Sequence, residues 1–341
     1  MSRPDDKSAQ EGYCTTEGAH DPAVSSDHIT VSLPSSEPGS RLSEMTSNDR
    51  KSFNVRIPSR ILSLCGGGHL GILHLGVLKA LGQRNLIKQI KGVVGISAGA
   101  LVGLLHVLGY TLEEIESLLF EIDLTAFTSI ESDSALFFYQ TLCVNSGDLL
   151  TAFITGLLEG KGYSATTTFA DLPKYPFFRC YATRLQSTTV QEFSAEKTPK
   201  HPLLFAVRAS MCLPVIFAPM KDPFTETLYY DAGLIHNMPF VFLTEEEKRQ
   251  TLSVVFSMVQ EEMKNEMSSI FTYAMKSFFA QRNQYYLRRY KMIDIHVDPG
   301  HFLSCSTKES KEQLILQGHA ACLAFLDAEP MTKPARRYSV A

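Results

Sequence analysis

Three short stretches carry residues whose types and spacing suit chemistry. Gly66-Gly67-Gly68-His69-Leu70-Gly71 satisfies G-x-G-x-x-G and sets three consecutive backbone amides side by side with no side chain in the way. Such a loop suits an anion, either a bound pyrophosphate or a transient oxyanion. Gly95-Ile96-Ser97-Ala98-Gly99 is G-x-S-x-G, the pattern of a sharp turn that presents a serine hydroxyl. Asp231-Ala232-Gly233 follows the short apolar run Leu228-Tyr229-Tyr230, which leaves a carboxylate at a strand end.

The elements around these stretches have legible periods. Ile61-Leu62-Ser63-Leu64-Cys65 reads as a buried strand, and Ile72, Leu75, Val77, Leu78 and Leu81 follow at helical spacing until Arg84-Asn85. Gly92 to Ile96 is a second apolar strand ending on Ser97, and Ala98 to Gly109 is small and aliphatic, as in a buried helix. Strand, glycine loop, helix, strand, tight turn, helix is a βαβ unit with a right-handed crossover. Both loops then emerge at the carboxyl ends of parallel strands, where open α/β sheets place ligands. Further strands are expected at 178–183, 188–193, 251–256 and 292–297, and an apolar-periodic segment runs from Leu314 to Leu326.

Context decides between the two anions. A dinucleotide site wants an acidic residue about 20 positions beyond the glycines. From Cys65 to Leu112 there is no Asp or Glu, and the first is Glu113. An NADP site could use a basic residue instead, so a dinucleotide-binding protein stays as the last-ranked alternative. A phosphate-binding P-loop would need Lys after Gly71, where Ile72 stands. The serine turn, between a strand and a helix, favours an oxyanion. Its base is either a late histidine (His236, His296, His301 or His319) in a triad, or Asp231 in a dyad. No histidine sits in a distinctive motif, whereas a carboxylate in a dry site gains the basicity to accept the serine proton.

In this order the three blocks resemble the patatin-like phospholipases and lipases. Tyr181-Ala182-Thr183-Arg184-Leu185, the stretch from Ala209 to Phe217, and Asn237-Met238-Pro239 are similar to family segments too, so the resemblance spans roughly residues 58–245. It implies an α/β fold, a three-layer α/β/α arrangement with a mostly parallel central sheet. It also implies a Ser-Asp dyad: Ser97 as nucleophile, Asp231 as base, Gly66, Gly67 and Gly68 as the oxyanion hole, and Gly95 and Gly99 flanking the elbow. No cofactor or metal is expected. The implied substrate is a phospholipid or neutral glycerolipid at a membrane or lipid-droplet surface, and some bacterial members need a protein activator. Two positions depart from the pattern. Leu70 stands where Arg or Lys is usual, as in the triglyceride-lipase branch, which favours neutral lipid. Ala232 replaces a glycine; if that position needs φ > 0, its Cβ costs on the order of 1 kcal/mol. That strain is the motive for an alternative, a catalytically impaired lipid-binding or scaffold protein on the same fold.

The totals are consistent with this frame. The chain of 341 residues is 44% hydrophobic and 20% charged, with a net charge of −4 that offers nucleic acid no whole-chain attraction. Seven cysteines lie scattered without a C-x-x-C pair, which suits reduced thiols and a cytoplasmic setting. Neither a signal peptide nor a membrane-spanning run is read in the sequence. Residues 1–52, rich in Ser, Thr, Asp, Glu and Pro, are expected to form a disordered tail, and 329–341 a loose basic one, with 246–328 completing the catalytic core of 58–245. Met263, Met267, Ile270, Phe271, Ala274, Met275, Phe278 and Phe279 form a helical stripe near several cations. It suits an interfacial helix, although packing on the sheet is the commoner use of such a stripe. Leu136-Phe137-Phe138-Tyr139 suits a channel or lid, and more commonly core.

Overall fold

In the computed structural model the described residues are 59–129, 143–258, 284–298 and 307–328. The two tails, the stripe at 263–279, the aromatic run at 136–139 and His301 lie outside them.

Among the described residues one eight-stranded sheet is formed, in the order β5-β6-β3-β2-β1-β7-β8, with β4 added on β3. Its strands are β1 (Ile61–Leu64), β2 (Gly92–Gly95), β3 (Phe177–Arg184), β4 (Val190–Ser194), β5 (Met220–Lys221), β6 (Leu228–Asp231), β7 (Thr251–Met258) and β8 (Lys291–Val297). The pairs β1–β2, β1–β7, β2–β3 and β7–β8 are parallel, whereas β4, β5 and β6 join antiparallel. All residues of β1 and β2 are buried, as expected of parallel strands covered on both faces.

Side chains alternate between two cores. Leu62, Leu64, Val93, Cys180, Leu252, Val254 and Ile293 face the larger one. Ile61, Val94, Tyr181, Val255 and Met292 face the smaller. The larger core is covered by α1 (Ile72–Gln83), α2 (Ala98–Val107), α3 (Leu112–Glu121), α4 (Asp148–Glu159), α5 (Leu203–Ser210) and a long last helix, Lys308–Asp327. The smaller lies under the 3₁₀ turn Pro239–Phe242 and the short helix Gln284–Arg289. With α6 (Glu245–Arg249) numbered before them, these two helices are α7 (Gln284–Arg289) and α8 (Lys308–Asp327). The sheet with helices on both faces is the α/β arrangement expected from the sequence.

Helix α1 is apolar almost all round because it is buried on two sides. One side meets the sheet and the other meets α8. A Cβ built on Gly76 would lie 2.1 Å from the Ile315 carbonyl oxygen, and one on Gly318 would lie 2.1 Å from that of Leu73. The two backbones therefore touch, and α1 is held at a fixed height above the strand that feeds it.

β3 measures out the site. Gly95 at the end of β2 pairs with Cys180, and Asp231 at the end of β6 pairs with Ala182. Because β4 occupies the other edge of β3 along Arg179–Thr183, β2 and β6 share one edge and meet head to head. The residues that follow both strands thus leave the sheet at the same point.

Candidate active site

The turn after β2 is strained in the way a serine elbow requires. Ser97 has φ 55° and ψ −127°, a region that L-residues seldom occupy, and it heads α2 at once. Its carbonyl accepts the amides of Ala100 (2.9 Å) and Leu101 (3.2 Å). The flanking glycines are there for close approach. A Cβ on Gly95 would sit 2.4 Å from the Gly99 carbonyl oxygen, and one on Gly99 would sit 2.3 Å from that of Leu64. The Ser97 amide donates to Ser210 Oγ at 2.9 Å, so the last residue of α5 holds the turn from below.

Asp231 is completely buried. Its amide donates to the Cys212 carbonyl at 2.9 Å, and its Oδ1 accepts the Gly233 amide at 2.7 Å. Burial pushes the carboxyl up to about 7, against hydrogen bonds from the Ser97 side chain and the Gly233 amide that favour the charged form. Oδ2 has no hydrogen-bond partner among the described residues, and the Ser97 side chain lies close enough to the carboxyl to favour its charged form. Pairs of this kind often tighten only in the reacting complex. Ala232 needs no positive φ: among the described residues the positive-φ residues other than glycine are Asn85, Ser97, Thr188 and Val215. Its methyl group is fully buried in the smaller core, which removes the strain that motivated an impaired site.

The glycine loop lies directly against the serine. A Cβ on Gly66 would come within 2.6 Å of Asn237 Oδ1 and 2.9 Å of Ser97 Cβ, and one on Gly67 within 2.7 Å of the Phe256 ring. Asn237 Oδ1 accepts the Gly66 amide at 2.9 Å, while its Nδ2 donates to the Gly66 carbonyl at 3.0 Å. The Gly66 amide, expected from sequence as an oxyanion donor, is therefore already bonded. The amides of Gly67 and Gly68 donate to no acceptor among the described residues. Gly68 has φ 54°, which turns the chain into the 3₁₀ turn Gly68–Gly71. His74 pins the base of the loop: its Nε2 bonds the Cys65 carbonyl at 2.8 Å, its ring stacks on Phe256 with centroids 4.8 Å apart, and burial pushes its pKa down to about 4. Leu70 is fully enclosed in the larger core, so it anchors the loop and faces no ligand.

Three of the four histidines considered for a triad lie elsewhere, and His301 is outside the described residues. His236 is exposed beside Phe242, His296 Nδ1 meets Ser257 Oγ at 2.5 Å, and His319 Nε2 meets Gln83 Oε1 at 2.9 Å. None is among the groups that act on Asp231. Among the described residues no cluster of three or more His, Cys, Asp or Glu could hold a metal, and no helix is long and apolar enough to cross a membrane. Ser210, Cys212 and Asn237 lie in family-like stretches, but their contacts with Ser97, Asp231 and Gly66 join segments far apart in the chain and have no local signal.

Comparison with known proteins agrees with this architecture. The profile of the patatin-like phospholipase family matches residues 62–243, and the chain belongs to that family. It is 27% identical over 197 residues to an uncharacterised protein of Acanthamoeba polyphaga mimivirus, covering 58% of this chain and 65% of that one. It is 29% identical over 208 residues to the uncharacterised protein YqhO of Bacillus subtilis (strain 168), covering 56% and 69%. A probable lipid hydrolase of Invertebrate iridescent virus 6 is 26% identical over 187 residues, covering 53% of this chain and 61% of its own. The chain thus spans roughly two thirds or less of the lengths of these relatives. The crystal structure of VipD from Legionella pneumophila shares the fold, with a TM-score of 0.53, 18% identity, and coverage of 79% of this chain and 67% of VipD.

Proposed function

We propose that the protein is a lipid acyl hydrolase that cleaves carboxylic esters of phospholipids or neutral glycerolipids through an acyl-serine. The observation that carries this reading is the convergence of β2 and β6 on one edge of β3, which sets a strained Ser97 beside a buried Asp231. Asp231 takes the proton of the Ser97 hydroxyl as Oγ attacks the ester carbonyl. The tetrahedral oxyanion receives the amides of Gly67 and Gly68. Its collapse expels the alcohol, which recovers the proton from Asp231. Water then attacks the acyl-serine with Asp231 again as base, and the fatty acid leaves as Ser97 regains its proton.

Burial supplies the basicity that an exposed aspartate lacks. A carboxyl held near 7 is half ionised at neutral pH and still basic enough to receive a serine proton in flight. The positive end of α2, which begins at Ala98, favours the developing negative charge. Leu234 and Ile235, 46% and 39% exposed on the turn after Asp231, present aliphatic surface at the rim where an acyl chain would enter from a lipid surface. On this reading the protein works peripherally, on a membrane or a lipid droplet.

A fluorophosphonate probe tests the nucleophile. Wild type is expected to label and Ser97→Ala not to, with ester turnover falling by on the order of 10⁴ or more. Equal labelling of both proteins would overturn the assignment. Hydrolysis of phospholipid against acylglycerol vesicles, read as released fatty acid, then identifies the substrate class. Because the base must be ionised, kcat/KM should rise with pH along a limb centred near 7.

A further inference from the structure

We propose that Asn237 is the positioning residue of the oxyanion loop, and that it takes Gly66 out of the hole so that only the Gly67 and Gly68 amides face the oxyanion. This rests on the hydrolase reading above for its consequence, but not for its geometry. Asn237 is buried, 6% exposed, and closes a two-bond ring on one peptide position: the Gly66 amide donates to Oδ1 at 2.9 Å and Nδ2 donates to the Gly66 carbonyl at 3.0 Å. Both backbone groups of Gly66 are consumed, as in a strand pair, by a side chain that lies 171 residues away. A methyl group added at Gly66 would strike both Asn237 Oδ1 and Ser97 Cβ, so the clamped glycine packs directly on the serine.

Three consequences follow from that arrangement. The loop cannot rotate about Gly66 to offer its amide to a ligand without breaking two buried hydrogen bonds, each costly to leave unmade. Fixing Gly66 leaves the next two amides aimed as a pair, and preorganised donors need no reorientation when charge develops. Asn237 also stands on the same segment as Asp231, held by the Asp231–Cys212 and Asp231–Gly233 bonds. The clamp therefore ties the oxyanion loop to the base, so that nucleophile, base and hole move as one body.

Asn237→Ala removes both bonds, and Asn237→Asp keeps the acceptor for the Gly66 amide but loses the donor to its carbonyl. In Asn237→Ala, kcat on a monomeric ester is expected to fall by about 10²–10³-fold with KM within about threefold, since the loss is confined to the transition state. Asn237→Asp should lose less, and its pH limb should move upward because a second carboxylate near Ser97 opposes ionisation of Asp231. Amide exchange gives a readout independent of turnover: the Gly66 amide should be strongly protected in wild type and exchange much faster in either variant. A folded Asn237→Ala with wild-type kcat, or a Gly66 amide that exchanges freely in wild type, would overturn the proposal. If wild type neither labels nor turns over an ester, the hydrolase reading fails, and the exchange of Gly66 still decides whether the clamp exists.

Discussion

At the scale of single residues, Ala232 and Leu70 change meaning once their surroundings are visible. In sequence both stand where the family has something else, and both invite a functional explanation. Ala232 has an ordinary backbone and a fully enclosed methyl group. Ala232→Gly is therefore expected to leave kcat/KM within about twofold of wild type and to lower stability by about 1 kcal/mol, from lost packing and added chain entropy. A tenfold gain in activity, read on any accepted ester, would restore the idea of a naturally weakened site. Leu70 lies fully enclosed in the larger core, where a charged side chain would lose its water, so its identity concerns packing beneath the loop. It gives no direct reading of the lipid headgroup.

At the scale of elements, glycines mark where backbone meets backbone. The crossing of α1 and α8 depends on Gly76 and Gly318, whose missing side chains leave space for the carbonyls of Ile315 and Leu73. Helix propensity alone would make Gly318→Ala stabilising by about 1 kcal/mol. A Cβ at 2.1 Å from a main-chain oxygen cannot be absorbed by a rotamer change, and the helices must part. The expected outcome is a net loss of about 1–3 kcal/mol, seen in denaturant midpoint at constant m. A gain in stability would mean that the helices do not touch there. Because α1 follows the glycine loop directly, displacement of α8 should also weaken the loop's seat on α2, where a Cβ on Gly71 would lie 2.6 Å from that of Ala98.

At the scale of the whole molecule, the buried carboxyl of Asp231, proposed as the base, sets activity against stability. The unfolded chain ionises Asp231 near 3.8, whereas the folded chain holds the proton until about 7. Below the lower value both states are protonated and folding is unaffected. Between the two the unfolded state alone releases its proton, so stability falls as pH rises, and above the upper value the loss stays constant at roughly 4 kcal/mol. Asp231→Asn should escape this loss. Its melting temperature relative to wild type is expected to climb between pH 4 and 7 and then level off, while its ester turnover is lost. A difference between the two proteins that does not vary with pH would show that Asp231 titrates normally.

Local physics made much of this protein legible in its sequence. The apolar runs, the two glycine-flanked turns and the helical spacing of Ile72 to Leu81 follow from short-range sterics and from the two side-chain periods, and all act within a few residues. Those features suffice for the βαβ unit, the tight turn at Ser97 and the glycine loop before α1. Tertiary structure alone decided the rest, because it depends on segments far apart in the chain meeting with sub-ångström consequence. The head-to-head meeting of β2 and β6 on β3 brings Asp231 to the turn that carries Ser97, whereas His236, His296 and His319 lie elsewhere. A side chain 171 residues from Gly66 determines which amides of the loop are engaged. The backbone of Ala232 and the enclosure of Leu70 are set by what packs around them, and no period or motif encodes a neighbour that arrives only when the chain has folded.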